Sequence, residues 1–211
     1  MIITILGPQG SGKGTQADKL AEEFDMTHVS MGDVLRDEVH KHGKLAGIIR
    51  ECMNEGKLIP DEINNKIVSK VIEKYERNLI LDGYPRNLDQ AKYIANFSKP
   101  DILIFLTISD DVAVKRISRR LVCTGNHKVY TEGQVTPQDI KECEESGGKI
   151  VRREDDNPKN VLSRLKVYHE ETVPAIEHLK NQGCKVIEID AEADIDRVFS
   201  ILKTKVHSLI K

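Results

Sequence analysis

Gly7-Pro8-Gln9-Gly10-Ser11-Gly12-Lys13, followed by Gly14 and Thr15, is the stretch on which the reading of this chain turns. A continuous aliphatic run at 2–6 precedes it and a helical pattern at 15–24 follows, so the local order is strand, glycine loop, helix. In that setting GxxxxGK is a phosphate-binding loop. Its glycines let backbone N–H groups converge on phosphate oxygens, the following helix directs its positive end at the same place, and Lys13 adds a full charge. Gly10, Ser11, Gly12, Lys13, Gly14 and Thr15 are therefore candidate nucleotide-phosphate contacts. Position 14 is Gly where a magnesium-binding Ser or Thr usually follows the lysine, so Mg²⁺ is expected to be held through water by carboxylates. Asp82, at the end of the strand 79–81, is the first candidate and Asp33 the second.

Working outward, short apolar runs recur at 79–81, 102–108 and 186–189, separated by stretches long enough to be helices. Buried parallel strands with crossover helices, an α/β fold, explain this rhythm. Residues 28–30 give a weaker strand signal. Two stretches break the rhythm. Residues 32–58 are helical in pattern, end in a Gly56 to Pro60 break and read as an inserted helical flap. Residues 121–149 are polar, with Gly125, Gly133, Gly147, Gly148 and Pro137, and read as a surface lobe. Asn157 and Pro158 then mark a helix start as N-cap and first helical residue.

The 211-residue chain has a net charge of −2, which supplies no global field for nucleic acid or an anionic membrane. With no apolar stretch approaching ~20 residues, a cytoplasmic protein is expected. The four cysteines are widely spaced without a CxxC pair, so reduced thiols are expected. A phosphoryl-transfer site needs positive charge around the transferring group, and arginine suits that through its planar fork. Arg36 in the flap, Arg86 in the 82–86 turn, Arg116 and Arg120 one turn apart, Arg153 and Arg164 are the candidates.

Residues 7–16, 30–36 (Ser-Met-Gly-Asp-Val-Leu-Arg), 81–91 (Leu-Asp-Gly-Tyr-Pro-Arg-Asn-Leu-Asp-Gln-Ala) and 152–157 (Arg-Arg-Glu-Asp-Asp-Asn) closely resemble the adenylate kinase family, in order and spacing, over essentially the whole chain. The resemblance implies a P-loop three-layer sandwich with a five-stranded parallel sheet. Residues 1–29, 60–119 and 157–211 would form the core, 30–59 a flap binding the nucleoside monophosphate, and 120–156 a long lid. It also implies the reaction MgATP + AMP ⇌ MgADP + ADP in a monomer, with UMP/CMP or broad-specificity kinase activity as the alternative.

By that resemblance Lys13 and the loop hold the donor phosphates, and Arg120 and Tyr130 belong to the ATP side. Arg36 and Arg86 grip the AMP phosphate, while Arg116, Arg153 and Arg164 close around the transferring group. Gln90 falls where the family reads adenine, and Met31, Lys57, Leu58, Ile59 and Gly83 complete the AMP pocket. The attacking AMP phosphate is already ionised, so no general base is required, and His28, His40, His42, His127, His169, His178 and His207 are read as surface residues.

The sequence departs from the family pattern at Met31, commonly threonine, and at Arg119 and Leu121 beside Arg120. It departs most in the lid. Where relatives carry four zinc-binding cysteines, this chain offers Cys123, Asn126, Cys143 and Ser146. Asn and Ser are not usual zinc ligands, so a metal-free polar and thiol cluster is expected, with Cys123, His127 and Cys143 as a three-ligand alternative.

Overall fold

The run preceding the glycine loop forms β1 (Ile2–Leu6), buried along its whole length because it is the central strand of a sheet covered on both faces. The computed structural model describes residues 1–40, 45–75 and 78–210. Around β1 the chain lays down α1 (Lys13–Phe24), β2 (Thr27–Ser30), α2 (Met31–His40), α3 (Ala46–Glu55), α4 (Asp61–Tyr75), β3 (Leu79–Asp82), α5 (Leu88–Ser98), β4 (Ile102–Thr107) and α6 (Asp110–Ser118). After these come β5 (Arg120–Cys123), β6 (Val129–Thr131), α7 (Pro137–Glu145), β7 (Ile150–Val151), α8 (Pro158–Val167), α9 (Val173–Asn181), β8 (Lys185–Asp190) and α10 (Ile195–Ile210).

The order β2-β3-β1-β4-β8 gives the five-stranded, wholly parallel sheet of the expected α/β fold. The weak signal at 28–30 is its edge strand, hydrogen-bonded to β3. Alternation along the strands sorts the core into two layers. Ile2, Leu6, Leu79, Leu81 and Leu103 pack on one face against Val68, Ile72, Ile94, Ile176 and Leu179 of α4, α5 and α9. Ile3, Ile5, Ile80, Ile102 and Ile104 pack on the other against Ala17, Leu20, Val198, Leu202 and Val206 of α1 and α10. Each such fully buried aliphatic contributes about 1.5–3 kcal/mol. Because all five strands run the same way, Ser30, Asp82, Thr107, Asp190 and the loop after Leu6 gather along one edge of the sheet.

The helical insertion after β2 comprises α2 and α3, which share a small core of Leu35, Ile49 and Ile59 with Val39, Cys52, Met53, Ile63 and Ile67. His42 lies outside the described residues. The polar stretch read as a surface lobe has a fold of its own, an antiparallel sheet in the order β6-β5-β7 with α7 beside it. Thr136 and Asp139 cap α7 reciprocally, ahead of Pro137 at its start.

That lobe corrects the expectation of reduced thiols: Cys123 and Cys143 form a disulfide. They are 20 residues apart in sequence, and β5 and α7 bring their Cα atoms to 5.7 Å. The spacing rule looked for close pairs, whereas this pairing is made by the lobe's tertiary packing, with Tyr130, Leu121, Val135 and Ile150 around it. Cys52 and Cys184 are free.

Candidate functional site

The edge where the strands end opens into a cleft of about 1190 Å³. Pockets for one drug-sized ligand run to roughly 300–1,000 Å³, so this one has room for two nucleotides. Its floor is the glycine loop. A Cβ at Gly7 would sit 2.5 Å from the Leu106 carbonyl, and one at Gly10, where φ is +80°, 2.9 Å from that of Ala113. The loop therefore lies too close to β4 and α6 for side chains at those positions. The Ser11 hydroxyl is buried with no hydrogen-bond partner among the described residues, an unsatisfied group that a phosphate oxygen would complete.

Lys13 folds back over this floor, its Nζ donating to the carbonyls of Gly7 (2.9 Å) and Pro8 (2.8 Å). Burial pulls its pKa down to about 8, against the pull of Asp82 and with the help of the Arg86 and Arg120 guanidiniums. A polyanion in the cleft would reverse that shift.

Five arginines come to the same cleft from separate segments, each with a fixed partner. Arg36 and Arg153 share the Asp33 Oδ1 oxygen, which accepts from Nε and Nη2 of Arg36 and from Arg153 at 3.2 Å. Arg120 makes a fork to Asp156 (2.8 and 2.5 Å). Arg164 pairs with Asp155 and reaches the Met53 carbonyl at 3.2 Å. Arg86 donates to the Gly83 carbonyl at 2.8 Å, and its own carbonyl accepts from the Thr172 hydroxyl at 2.8 Å. Thr172 closes a π-helical turn (Tyr168–Thr172) between α8 and α9, just before Pro174. Proline has no N–H to continue the α-helical ladder, so the turn widens there and carries Thr172 to Arg86.

The crowding of cations is legible in their titration. Burial and the charges of Arg36 and Arg120 lower Arg153 to about 10. Arg86 is lowered by burial and by Arg164. Asp33 and Asp155 go down as well, because the guanidiniums outweigh the burial that would raise them.

Arg116 also lines the cleft, with its guanidinium committed to the carbonyls of Ala191 (2.9 Å), Glu192 (3.1 Å) and Gly10 (3.4 Å). It ties the loop after β8 to the phosphate loop. Tyr130 faces the cleft from the lobe, and its buried hydroxyl has no hydrogen-bond partner among the described residues. Met31, Lys57, Leu58, Ile59 and Gly83 line the other half. Gln90 is fully buried behind that wall, accepting from the Arg86 N–H (2.8 Å) and donating to Asp61 (2.7 Å).

Two carboxylates were candidates to hold magnesium through water. Asp82 fits: its oxygen lies beside Gly14, and His28 at 3.7 Å is its only ionic neighbour within 4 Å among the described residues. Asp33 is already shared between Arg36 and Arg153. The three-ligand zinc alternative is not assembled. Cys123 and Cys143 are bonded to each other, and His127 lies 3.7 and 3.6 Å from Asp33 and Asp37 of α2. Among the described residues no group of three or more His, Cys, Asp or Glu could hold a metal ion.

Sequence reasoning gave no role to Asp155 and Asp156, which serve as counter-ions to Arg164 and Arg120. The alternation of acids and arginines at 152–156 was the available signal. It also misplaced His28. That side chain is 14% exposed, between Asp18 (2.6 Å) and Asp82, and though burial alone would lower it, the two carboxylates raise its pKa to about 9. The other described histidines are exposed or half-exposed.

The same cleft can be compared with those of known proteins. A family model described as adenylate kinase matches residues 5–184. A protein named adenylate kinase from Petrotoga mobilis is 39% identical over 213 residues, covering 97% of this chain and 98% of the relative. Those of Caldanaerobacter subterraneus subsp. tengcongensis and Rickettsia conorii are 35% and 36% identical, covering 96% and 95% of this chain and 95% and 100% of theirs.

Proposed function

The chain belongs to the adenylate kinase family and is a phosphotransferase converting ATP and AMP into two ADP; we propose how its residues divide that reaction. The observation that carries the assignment is the convergence on one cleft of Lys13, Arg36, Arg86, Arg120, Arg153 and Arg164. Phosphoryl transfer asks a protein chiefly for positioned positive charge, and this is where the chain concentrates it.

Gly10 to Thr15, Lys13 and Arg120 hold the donor phosphates, with Tyr130 beside the donor nucleoside and Arg116 keeping the loop in register. Arg36 and Arg86 grip the acceptor phosphate, with Met31, Lys57, Leu58, Ile59 and Gly83 around its nucleoside and Gln90 fixing the Arg86 backbone. An oxygen of the AMP phosphate forms the new bond to the γ-phosphorus as the bond to the β-phosphate oxygen breaks, so ADP leaves carrying that electron pair. Arg153 and Arg164 neutralise the group in transit. Asp82 would hold the Mg²⁺ of bound ATP through water, and the ion would supply further neutralisation of the phosphates.

Residues 30–59 act as the acceptor flap and 120–156 as the lid, over a core of 1–29, 60–119 and 157–211. Together they exclude the water that would otherwise accept the phosphoryl group. The acids that pair with the arginines are the groups that incoming phosphates must displace. A cleft completed by one chain supports a monomer, and free nucleotides as substrates support a cytoplasmic setting. The test is an acceptor panel of AMP, CMP, UMP and GMP at fixed MgATP. AMP is expected to give the highest kcat/KM, and a pyrimidine acceptor surpassing it would refute the assignment.

A further inference from the structure

Thr172 ends the π-helical turn between α8 and α9 and is 6% exposed. A helical threonine ordinarily gives its hydroxyl to the carbonyl three or four residues back in its own helix. Thr172 instead donates to the Arg86 carbonyl at 2.8 Å, 86 residues away in sequence.

The π turn makes that reach possible. Thr172 lies eight positions after Arg164. In an unbroken α-helix that separation rotates a side chain about 80° past its starting face, whereas a π turn takes up one extra residue and brings the total to within about 20° of two full turns. Arg164 and Thr172 accordingly both line the cleft, with Tyr168 midway between them. One helical segment thus meets the cleft twice, with a guanidinium from α8 and with a hydroxyl directed at the backbone that carries another.

Arg86 is held from three sides. Its N–H donates to Gln90 Oε1, its carbonyl accepts from Thr172, and its Nε donates to the Gly83 carbonyl, each at 2.8 Å. The two backbone contacts come from separate elements, α5 and the π turn. Among the described residues neither Nη atom makes a hydrogen bond, which leaves that end of the guanidinium for a phosphate. Without Thr172 the carbonyl side of Arg86 is unfastened, and the guanidinium loses its fixed direction.

We propose that Thr172 is a positioning residue for acceptor binding, its hydroxyl fixing the Arg86 backbone so that the guanidinium is aimed at the acceptor phosphate before the nucleotide arrives. The inference deepens the reading given above and rests on Arg86 holding that phosphate. A preset arginine lowers the ordering cost of binding, so the effect belongs in KM for the acceptor.

The test measures KM for both substrates in wild type, Thr172→Val, Thr172→Ala and Thr172→Ser, each also combined with Arg86→Ala. Both variants lacking the donor should raise KM for AMP about tenfold, the loss of one buried hydrogen bond, with kcat and KM for MgATP within about twofold of wild type. Thr172→Ser keeps the donor and should return KM for AMP to within about threefold of wild type. In the Arg86→Ala background, losing the hydroxyl should cost nothing further, because the group it aims is gone. An unchanged KM for AMP, a loss shared by both substrates, a serine variant as impaired as valine, additive losses with Arg86→Ala, or failure of both donorless variants to fold would overturn the proposal. Arg86→Ala with an unchanged KM for AMP would instead refute the reading on which it rests.

Discussion

Reduction of the Cys123–Cys143 disulfide should loosen the 120–156 segment selectively. The bond closes a sequence separation of 20 residues. Loop-closure entropy for that length corresponds to about 3 kcal/mol of stabilisation through the unfolded state. The free energy acts where the loop lies, on a small unit in which Tyr130, Leu121, Val135 and Ile150 form the apolar cluster around the bond. Amides of β5, β6 and β7 should thus exchange with deuterium about a hundredfold faster after dithiothreitol treatment, while those of β1 and β4 stay protected. Where the segment melts together with the core, the same free energy lowers Tm by roughly 6–12 °C in a chain of this size. Hydrogen exchange followed by mass spectrometry reads both regions in one experiment. Cys123→Ala/Cys143→Ala is the control, because its exchange should not respond to dithiothreitol. If exchange in 120–151 is the same before and after complete reduction, the bond contributes nothing to the segment's stability and the reasoning fails.

Three further outcomes are expected. Lys13 is charged below about pH 8 and neutral above it, so MgATP affinity should hold below pH 8 and weaken as pH rises beyond it. Calorimetry at pH 9 in buffers of different ionisation enthalpy should register close to one proton taken up on binding, and no dependence on buffer would exclude the effect. His28, raised from 6.5 to about 9, stabilises the fold fully below pH 6.5 and loses that contribution as pH climbs to 9. Since Asp18 is largely exposed, screening reduces the effect to about 1–2 kcal/mol. Urea titrations at pH 6 and pH 9 should show this difference in wild type and not in His28→Gln, and an unchanged difference in the variant would assign it elsewhere. Arg86→Ala should lower kcat/KM for AMP by about ten- to a hundredfold, the size of one charge-assisted hydrogen bond to phosphate, with MgATP affinity kept. Undiminished turnover would remove Arg86 from the acceptor site.

The sheet was legible because each strand announces itself locally. The apolar runs at 79–81, 102–108 and 186–189 need no partner to be seen, and only the edge strand at 27–30, half-exposed by position, gave a faint signal. The phosphate loop was equally plain, since its chemistry lies within nine consecutive residues. What escaped the sequence were pairings between segments that no motif links. Cys123 finds Cys143 only once β5 and α7 pack, and His28 finds Asp82 only because β2 and β3 lie side by side in register.

The acceptor pocket sharpens that distinction. Gln90, placed by resemblance, lies at the expected position in the chain, and its amide accepts from the Arg86 N–H and donates to Asp61. Asn64 and Asn65 are the same residue type side by side on α4, and nothing in their order tells them apart. The helix turns them to different neighbours, so one holds Tyr84 and the other lines the cleft, its oxygen without a partner among the described residues. Residue type sets the candidates, and the competition for hydrogen-bond partners selects among them.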